Sequence, residues 1–292
     1  MAIPAAAVLA VSGIAVIGMA VSGPDATPGS HAAERVARPQ VPAAQASVGD
    51  PDDPATWRLP IEAYMPTAAQ ERLITSTRDS LIDDCMSRAG YPQWTPAPDL
   101  PEMGGKTLTD WRYGVHDASA VARHGYDPAP ADLAAYDEAM EVGAVDESGA
   151  DQGQVKNCVI QVDGTVPSAT PPALVEQIKG ESYEQSQKDS AVVSVFAKWS
   201  TCMKDKGYSY AEPLDASDDE RFTDPYNATQ EEIATAKADV ACRDKYQLEK
   251  TWFDVEAALQ RQAIEKNQDA LEKAKSDTAS AVLKAKTVAG SR

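Results

Sequence analysis

The chain has few of the side chains that most enzymes and metal sites use. Its 292 residues include only three histidines and four cysteines. No G-x-S-x-G, H-E-x-x-H, P-loop or G-x-G-x-x-G sequence is present, so the common signatures of hydrolases, zinc proteases and nucleotide-binding proteins are missing. A helix over 117–124 would bring His116 and His124 close together at a cleft edge, but we interpret them as polar surface residues. The sequence predicts no catalytic residue and no cofactor.

Positive charge is also scarce. The chain has 27 lysines and arginines against 45 aspartates and glutamates, a formal net charge of −18 at pH 7. Binding to nucleic acid or to an anionic lipid surface needs a basic patch that neutralises phosphates, so we predict neither partner for the body of the protein. Only the last 37 residues reverse the balance, with seven basic and five acidic side chains.

A stretch without lysine or arginine lies between Arg123 and Lys156. It contains eight acidic residues: Asp127, Asp132, Asp137, Glu138, Glu141, Asp146, Glu147 and Asp151. A calcium loop needs oxygen ligands in a fixed alternating order around a turn glycine, and the string from Asp146 to Asp151 lacks that order. We interpret this stretch as solvated surface and predict no metal site. A second acidic cluster has the same interpretation: Asp215, Asp218, Asp219, Glu220 and Asp224.

One heptapeptide, Cys-Met-x-x-x-Gly-Tyr, occurs twice. Its copies are Cys85, Met86, Gly90, Tyr91 and Cys202, Met203, Gly207, Tyr208. Each copy closes a run of apolar residues at helical spacing, and glycine readily takes the left-handed conformation that ends many helices. The repeat therefore predicts two related helical half-domains in which both cysteines point inward.

The four cysteines predict two disulfides. No two of them are close enough in sequence for a zinc knuckle, and an even number in an exported chain is typical of disulfide bonding. The repeat favours Cys85 with Cys158 and Cys202 with Cys242, each within its own half. The two crossed pairings stay open as alternatives.

The stretch Arg112-Tyr113-Gly114, followed by Asp117 and Gly125-Tyr126, lies between the first heptapeptide and a lone cysteine. In this arrangement the chain, over roughly residues 58–250, resembles a group of actinobacterial exported proteins of uncharacterised function. The resemblance implies an extracytoplasmic compartment and gives no mechanism. Many members have a cysteine directly after the signal sequence for lipid attachment; this chain has none there.

The sequence of the N-terminal region is typical of an exported protein. Residues 3–22 are uncharged and apolar over nearly the length of a membrane-spanning helix, so 1–22 is a signal peptide or a membrane anchor. Residues 23–55 are rich in Ala, Pro, Ser, Gly and Asp and predict a disordered linker. The predicted modules then span 56–173 and 174–255.

The C-terminal region predicts a long helix. Neither proline nor glycine occurs from Gln230 to Thr287, and Thr229 with Glu232 would form a capping box at its start. One helix, broken at most once, should run through it. Large apolar residues become sparse beyond Gln262, so we expect 256–292 to project from the domain and to allow helix-mediated self-association.

The sequence thus predicts a mainly α fold of two related, disulfide-stapled half-domains with a long C-terminal helix. Its predicted function is non-catalytic: binding or accessory work in the cell envelope, serving a membrane transport complex or the cell wall. The partner would be an envelope protein, a cell-wall component or a peptide held between the modules. Four tryptophans are candidates for lining such a groove: Trp94, Trp111, Trp199 and Trp252. Their spacing favours core packing for Trp199 and Trp252. A cell-wall or peptide hydrolase is the alternative, and it requires a cleft where His116 or His124 meets a carboxylate.

Overall fold

A computed structural model of the chain describes residues 44–101, 103–143, 146 and 148–291. These residues form ten α-helices and no β-strand, which confirms the mainly helical fold class. The helices are α1 (Ala68–Arg88), α2 (Ala118–His124), α3 (Pro130–Gly143), α4 (Gln152–Thr165), α5 (Ala173–Ser186), α6 (Ser190–Asp205), α7 (Pro213–Ser217), α8 (Gln230–Tyr246), α9 (Leu248–Lys266) and α10 (Gln268–Gly290). Two 3₁₀ turns, Pro54–Thr56 and Pro60–Tyr64, precede them.

The repeated heptapeptide ends α1 and α6 in the same way. Gly90 has φ 99° and Gly207 has φ 94°, and in each case the next residue, a tyrosine, donates its backbone N–H to the carbonyl five residues earlier. The two bonds are Tyr91 N to Met86 O at 3.0 Å and Tyr208 N to Met203 O at 2.9 Å. Both methionines are buried completely. The motif is therefore a helix stop with a core anchor, as its residues predict.

One disulfide joins each helix that ends in the heptapeptide to a later helix. Cys85 is bonded to Cys158, which connects α1 to α4, and Cys202 is bonded to Cys242, which connects α6 to α8. This is the pairing that the repeat favours, and the crossed alternatives are not formed.

The main core lies among α5, α6, α8 and α9. Trp199 and Trp252 are fully buried there, as the helical spacing predicts. The indole N–H of Trp199 donates to Asp239 Oδ1 at 2.7 Å, and that of Trp252 donates to Ser186 Oγ at 2.7 Å. Each large ring is thus buried with its one polar atom bonded.

A segment of the first half crosses into this core. Arg112 pairs with Glu256 of α9 (Nη2 to Oε1, 2.6 Å), and the Tyr113 hydroxyl donates to Glu256 Oε2 at 2.8 Å. Gly114, at φ 114°, lies directly against the Arg243 guanidinium, where a larger residue would not fit. The Arg-Tyr-Gly motif therefore joins the halves, and its contacts cross the boundary expected at residue 173.

The predicted linker ends earlier than residue 55. Residues 3–22 and the first part of the linker lie outside the described residues, but 44–55 lie on the domain. Ser47 and Arg58 form an antiparallel bridge, and the Trp57 indole N–H donates to Asp50 O at 2.7 Å. Trp57 and Pro54, both buried, hold this strip in place although its composition is that of a linker.

The C-terminal helix is broken twice and does not project, contrary to the sequence-based expectation. Gln247, in the left-handed conformation (φ 51°, ψ 47°), separates α8 from α9, and Asn267 separates α9 from α10. Helix α10 then packs against α1 and the 3₁₀ turn Pro60–Tyr64. It buries small and apolar side chains: Leu271, Ala274, Ala281, Val282 and Ala285. Alanines let the two helices approach closely, which is why a sparse apolar pattern still packs.

Candidate functional site

Most of the residues singled out in the sequence have structural roles in the fold. The cysteines are bonded, the heptapeptide residues stop helices, and Asp117 caps α2 by accepting hydrogen bonds from the N–H groups of Ser119 and Ala120. The acidic clusters also make local contacts: Asp151 caps α4, and Asp219 pairs with Arg221. None of these arrangements offers a ligand an open coordination position.

His116 is the exception. Its Nε2 lies 2.7 Å from Oδ1 of Asp110, a carboxylate that is itself buried and also accepts the Lys106 N–H at 2.6 Å. The hydrogen bond of His116 goes to Asp110 rather than to Asp117 or His124. Sequence reasoning therefore identified the histidine but not its partner. A spacing of six residues through a turn-rich segment gives no periodic signal.

An open cavity of about 650 Å³, here the His116 cavity, lies beside this pair. Small-molecule sites commonly have roughly 300–1,000 Å³. Four segments form its walls: residues 51–57, the loop before α2 at His116, the end of α8, and the first two turns of α9. The lining residues are Pro51, Asp52, Pro54, Trp57, His116, Asp244, Gln247, Glu249, Lys250 and Asp254.

The left-handed break at Gln247 shapes this cavity. A non-glycine residue rarely takes that conformation, and here it reverses the chain so that the end of α8 and the start of α9 face the same space. Leu248 is fully buried directly after the break and anchors the first turn of α9. Asp244 and Glu249, on opposite sides of the break, thereby reach one cavity.

Glu249 is the unusual residue of the cavity. It is 7% exposed, and its Oε1 accepts no hydrogen bond. The nearest cationic atom, Arg243 Nη1, is 3.6 Å away, outside hydrogen-bond distance. Burial raises the pKa of Glu249, and the charge of Arg243 partly opposes that rise. Glu249 is therefore ion-paired with Arg243, and it also accepts a hydrogen bond from its own backbone N–H. Two other buried atoms of the described residues, Asp239 Oδ2 and Tyr126 Oη, likewise have no hydrogen-bond partner.

The rim of the cavity is acidic. Burial raises the pKa of Asp244, the charge of Asp52 adds to the effect, and His116 and Arg243 oppose it. Lys250, the one lysine in the lining, is bound to Asp254 at 2.6 Å. The cavity therefore has four carboxylates and a single amine, already paired.

Two other cavities are of similar volume but lack such a group. One, of about 680 Å³, lies between Leu59, Met65 and Leu108; its carboxylate, Glu62, already accepts the Leu59 N–H at 2.6 Å. The other, of about 640 Å³, lies between the proline-rich loop at Trp94 and the end of α3. Trp94, offered by the sequence as a groove residue, is buried there at the edge of the α1–α4 cluster.

The spacing of polar residues in α9 is the one sequence pattern that could have pointed to Glu249. Three polar residues, Glu249, Glu256 and Gln260, recur on the face of α9 that also presents Trp252 and Phe253, and all are buried. Polar residues at core spacing mark either an internal network or a site. Asp52 and Asp110 could not be found this way, because they come from irregular segments.

Comparison with models of known protein families, with curated proteins and with solved structures found no match. Among the described residues, no helix is long and apolar enough to cross a membrane. Nor do the described residues contain three or more His, Cys, Asp or Glu side chains placed to hold one metal ion. The two disulfides fit an oxidising compartment outside the cytoplasm.

Proposed function

We propose that this protein is a non-catalytic binding or accessory protein of the cell envelope, secreted or held by its N-terminal segment, and that the His116 cavity is its ligand site. The observation that carries the proposal is a ligand-sized cavity of about 650 Å³ with an acidic rim and an apolar wall formed by Pro51, Pro54 and Trp57. A membrane transport complex or the cell wall would supply the ligand or partner.

The packing of the walls supports binding. Trp57, which contacts Phe253 with ring centroids 5.0 Å apart, fixes one wall, and the first turns of α9 fix the other. A site that is formed before the ligand arrives loses little entropy on binding. We therefore expect a ligand to raise the melting temperature of the full-length protein.

The test is a thermal-shift assay with low-molecular-weight envelope extract. Asp244→Arg places a cation in the cavity, and Asp205→Arg makes the same change of charge at the exposed end of α6. The proposal expects the extract to stabilise the wild type and D205R but not D244R. Equal stabilisation of both variants, or none of the wild type, would contradict it.

The hydrolase alternative also has one observation in its favour. His116, held by Asp110, opens onto the same cavity, and a histidine so oriented can take a proton from water. The lining contains no serine, threonine or cysteine, so water would be the attacking group. Incubation with cell-wall fragments or peptides decides between the two: product release by the wild type that is lost in His116→Asn supports the hydrolase.

A further inference from the structure

We propose that the cavity of about 680 Å³ between Leu59, Met65 and Leu108, here the Leu108 cavity, is a second ligand site that binds a carboxylate on a short aliphatic stem. Lys106 and Arg58 are the counter-charges of that carboxylate. The inference depends on three features of the lining: its apolar side chains, its two cations and the hydrogen bonds that its other polar side chains already make.

The apolar part of the lining is the first feature. Leu59 is 1% exposed, and Met65 and Leu108 are half-buried against the main core. The apolar lining residues are Leu59, Ala63, Met65, Pro66, Ala68 and Leu108. The volume lies in the range of roughly 300–1,000 Å³ that is common for small-molecule sites. Methylene groups that bind there leave water for an apolar surface, which favours binding.

Two cations in the same lining are the second feature. Lys106 is exposed, and its ammonium has no ion pair or hydrogen bond among the described residues. Its backbone N–H donates to Asp110 Oδ2 at 2.6 Å, which fixes the loop that carries it. Arg58 Nη1 donates to the carbonyls of Ala55 and Trp57, and Arg58 Nη2 has no partner among the described residues. The fold therefore holds cationic donors at this cavity that it does not use itself.

The local charge balance favours an anion. Of the described residues that line the Leu108 cavity, only Glu62 is acidic. Its Oε1 accepts the Leu59 N–H at 2.6 Å, and its Oε2 lies 3.7 Å from Arg58 Nε. Arg58 balances this carboxylate, which leaves Lys106 as the surplus charge. The net charge of −18 does not reverse the local sign, because exposed charges more than about 8 Å away are largely screened at physiological ionic strength.

The bonded polar side chains of the lining, the third feature, distinguish an aliphatic stem from a peptide. Thr67 Oγ1 accepts the Gln70 N–H at 3.3 Å, and Thr107 Oγ1 donates to Ala55 O at 3.0 Å. A peptide brings backbone amides, which these side chains are not free to pair, and an unpaired amide is costly to bury. An aliphatic stem brings no such group. The lining therefore matches a ligand with one charged end and an apolar remainder.

Isothermal titration of the full-length protein with hexanoate tests the inference. Four comparison ligands each change one property: acetate lacks the stem, 1-hexanol lacks the charge, hexylamine reverses it, and acetyl-Ala-Ala replaces the stem by a peptide. We expect hexanoate to bind at least tenfold more tightly than each of them.

A matched pair of variants locates the site. Ala68→Glu places a carboxylate in the lining at the first turn of α1, where an acidic residue is compatible with the helix dipole. Ala69→Glu makes the same change at the next residue, which is exposed and outside the lining. We expect A68E to weaken hexanoate at least tenfold and Lys106→Gln to weaken it about fivefold. A69E and Lys198→Gln, at an exposed position of α6, should leave the affinity unchanged.

The outcomes separate this inference from the proposed function. Equal affinity in A68E and A69E would overturn the assignment to the Leu108 cavity, and should A68E not fold, unchanged affinity in K106Q would do the same. Binding of 1-hexanol or acetyl-Ala-Ala as tight as that of hexanoate, or no binding of hexanoate at millimolar concentration, would overturn the ligand class. Asp244→Arg, in the His116 cavity, should bind hexanoate like the wild type, and a loss there would show that the Leu108 cavity is not a separate site. None of these results decides the thermal-shift test of the His116 cavity.

Discussion

At the scale of single residues, the fold places ionised groups in its interior and bonds nearly all of them. Arg243, Asp239, Glu256 and Arg112 are examples, each held by a partner from a distant part of the chain or from its own helix. Removing one member of such a pair leaves a buried charge, which is far more costly than losing a surface ion pair. Among the described residues, three buried side-chain atoms have no hydrogen-bond partner: Tyr126 Oη, Asp239 Oδ2 and Glu249 Oε1.

Asp127 provides a test of pH dependence. Burial and the charge of Glu232 raise its pKa to about 6, above the unfolded value of 3.8. Between these two values the folded protein keeps a proton that the unfolded chain has released, so the free energy of unfolding falls as pH rises through this window. Asp127→Asn removes the charge, and we expect it to stabilise the protein at pH 7.5, by roughly 1 kcal/mol after solvent screening.

Chemical denaturation at pH 7.5 and pH 4 measures this effect. At pH 4 the gain from D127N should be much smaller, because the wild-type carboxyl is then protonated in the folded state. Asp205→Asn, at an exposed helix end, is the control and should show no comparable increase between the two pH values. A gain from D127N that is the same at both would show that Asp127 is not protonated in the fold.

At the scale of elements, the two heptapeptide helix stops predict whether a glycine-to-alanine substitution stabilises or destabilises the protein. Gly90 and Gly207 have positive φ and open space around them, so alanine meets no clash there and is penalised only by the backbone. Gly90→Ala or Gly207→Ala should lower the free energy of unfolding by about 1 kcal/mol. Gly180, inside α5 and also in open space, should respond oppositely, since alanine favours the helix by about 1 kcal/mol. Urea denaturation of the three variants would contradict this account if all moved in one direction.

The packing of α10 makes a second prediction at this scale. Val282 is 8% exposed against α1, whereas its neighbour Leu283 is 67% exposed. Val282→Asp should destabilise by about 2–4 kcal/mol because it buries an unpaired carboxylate. Leu283→Asp, one residue away, should change little. If both variants melt like the wild type, α10 does not pack on α1 in solution.

At the scale of the whole molecule, the disulfides differ in position more than in loop length. Their loops span 73 and 40 residues, which chain entropy converts to about 4 kcal/mol each with a difference of roughly 0.5 kcal/mol. Cys202–Cys242 lies in the main core and Cys85–Cys158 in a smaller cluster between α1 and α4. We expect the double alanine variant at 202 and 242 to lose the more stability. Calorimetry showing the reverse would make loop entropy the dominant factor.

The features that could be predicted from the sequence depend on residues that are close together in the chain. The helix stops, the cap of α8 by Thr229, and the inward cysteines all depend on residues within one turn of each other. The His116 cavity depends on four segments between residue 51 and residue 254, which no spacing rule connects. The packing of α10 was missed for a different reason: alanine contributes little to an apolar pattern yet permits close helix approach.

The insertion of the Arg-Tyr-Gly segment into the second half has a consequence for the order of folding. Arg112 and Tyr113 find their partner Glu256 about 144 residues later in the chain, and Tyr126 N binds Glu232 some 106 residues later. As the chain is synthesised, α1 and α4 can form their own cluster, but these side chains have no native partner until α8 and α9 are present. Contacts at such sequence separation close slowly, because the loop entropy is lost before any contact compensates for it. The Arg-Tyr-Gly segment therefore lacks its native partners until α9, the second-last helix, has been made.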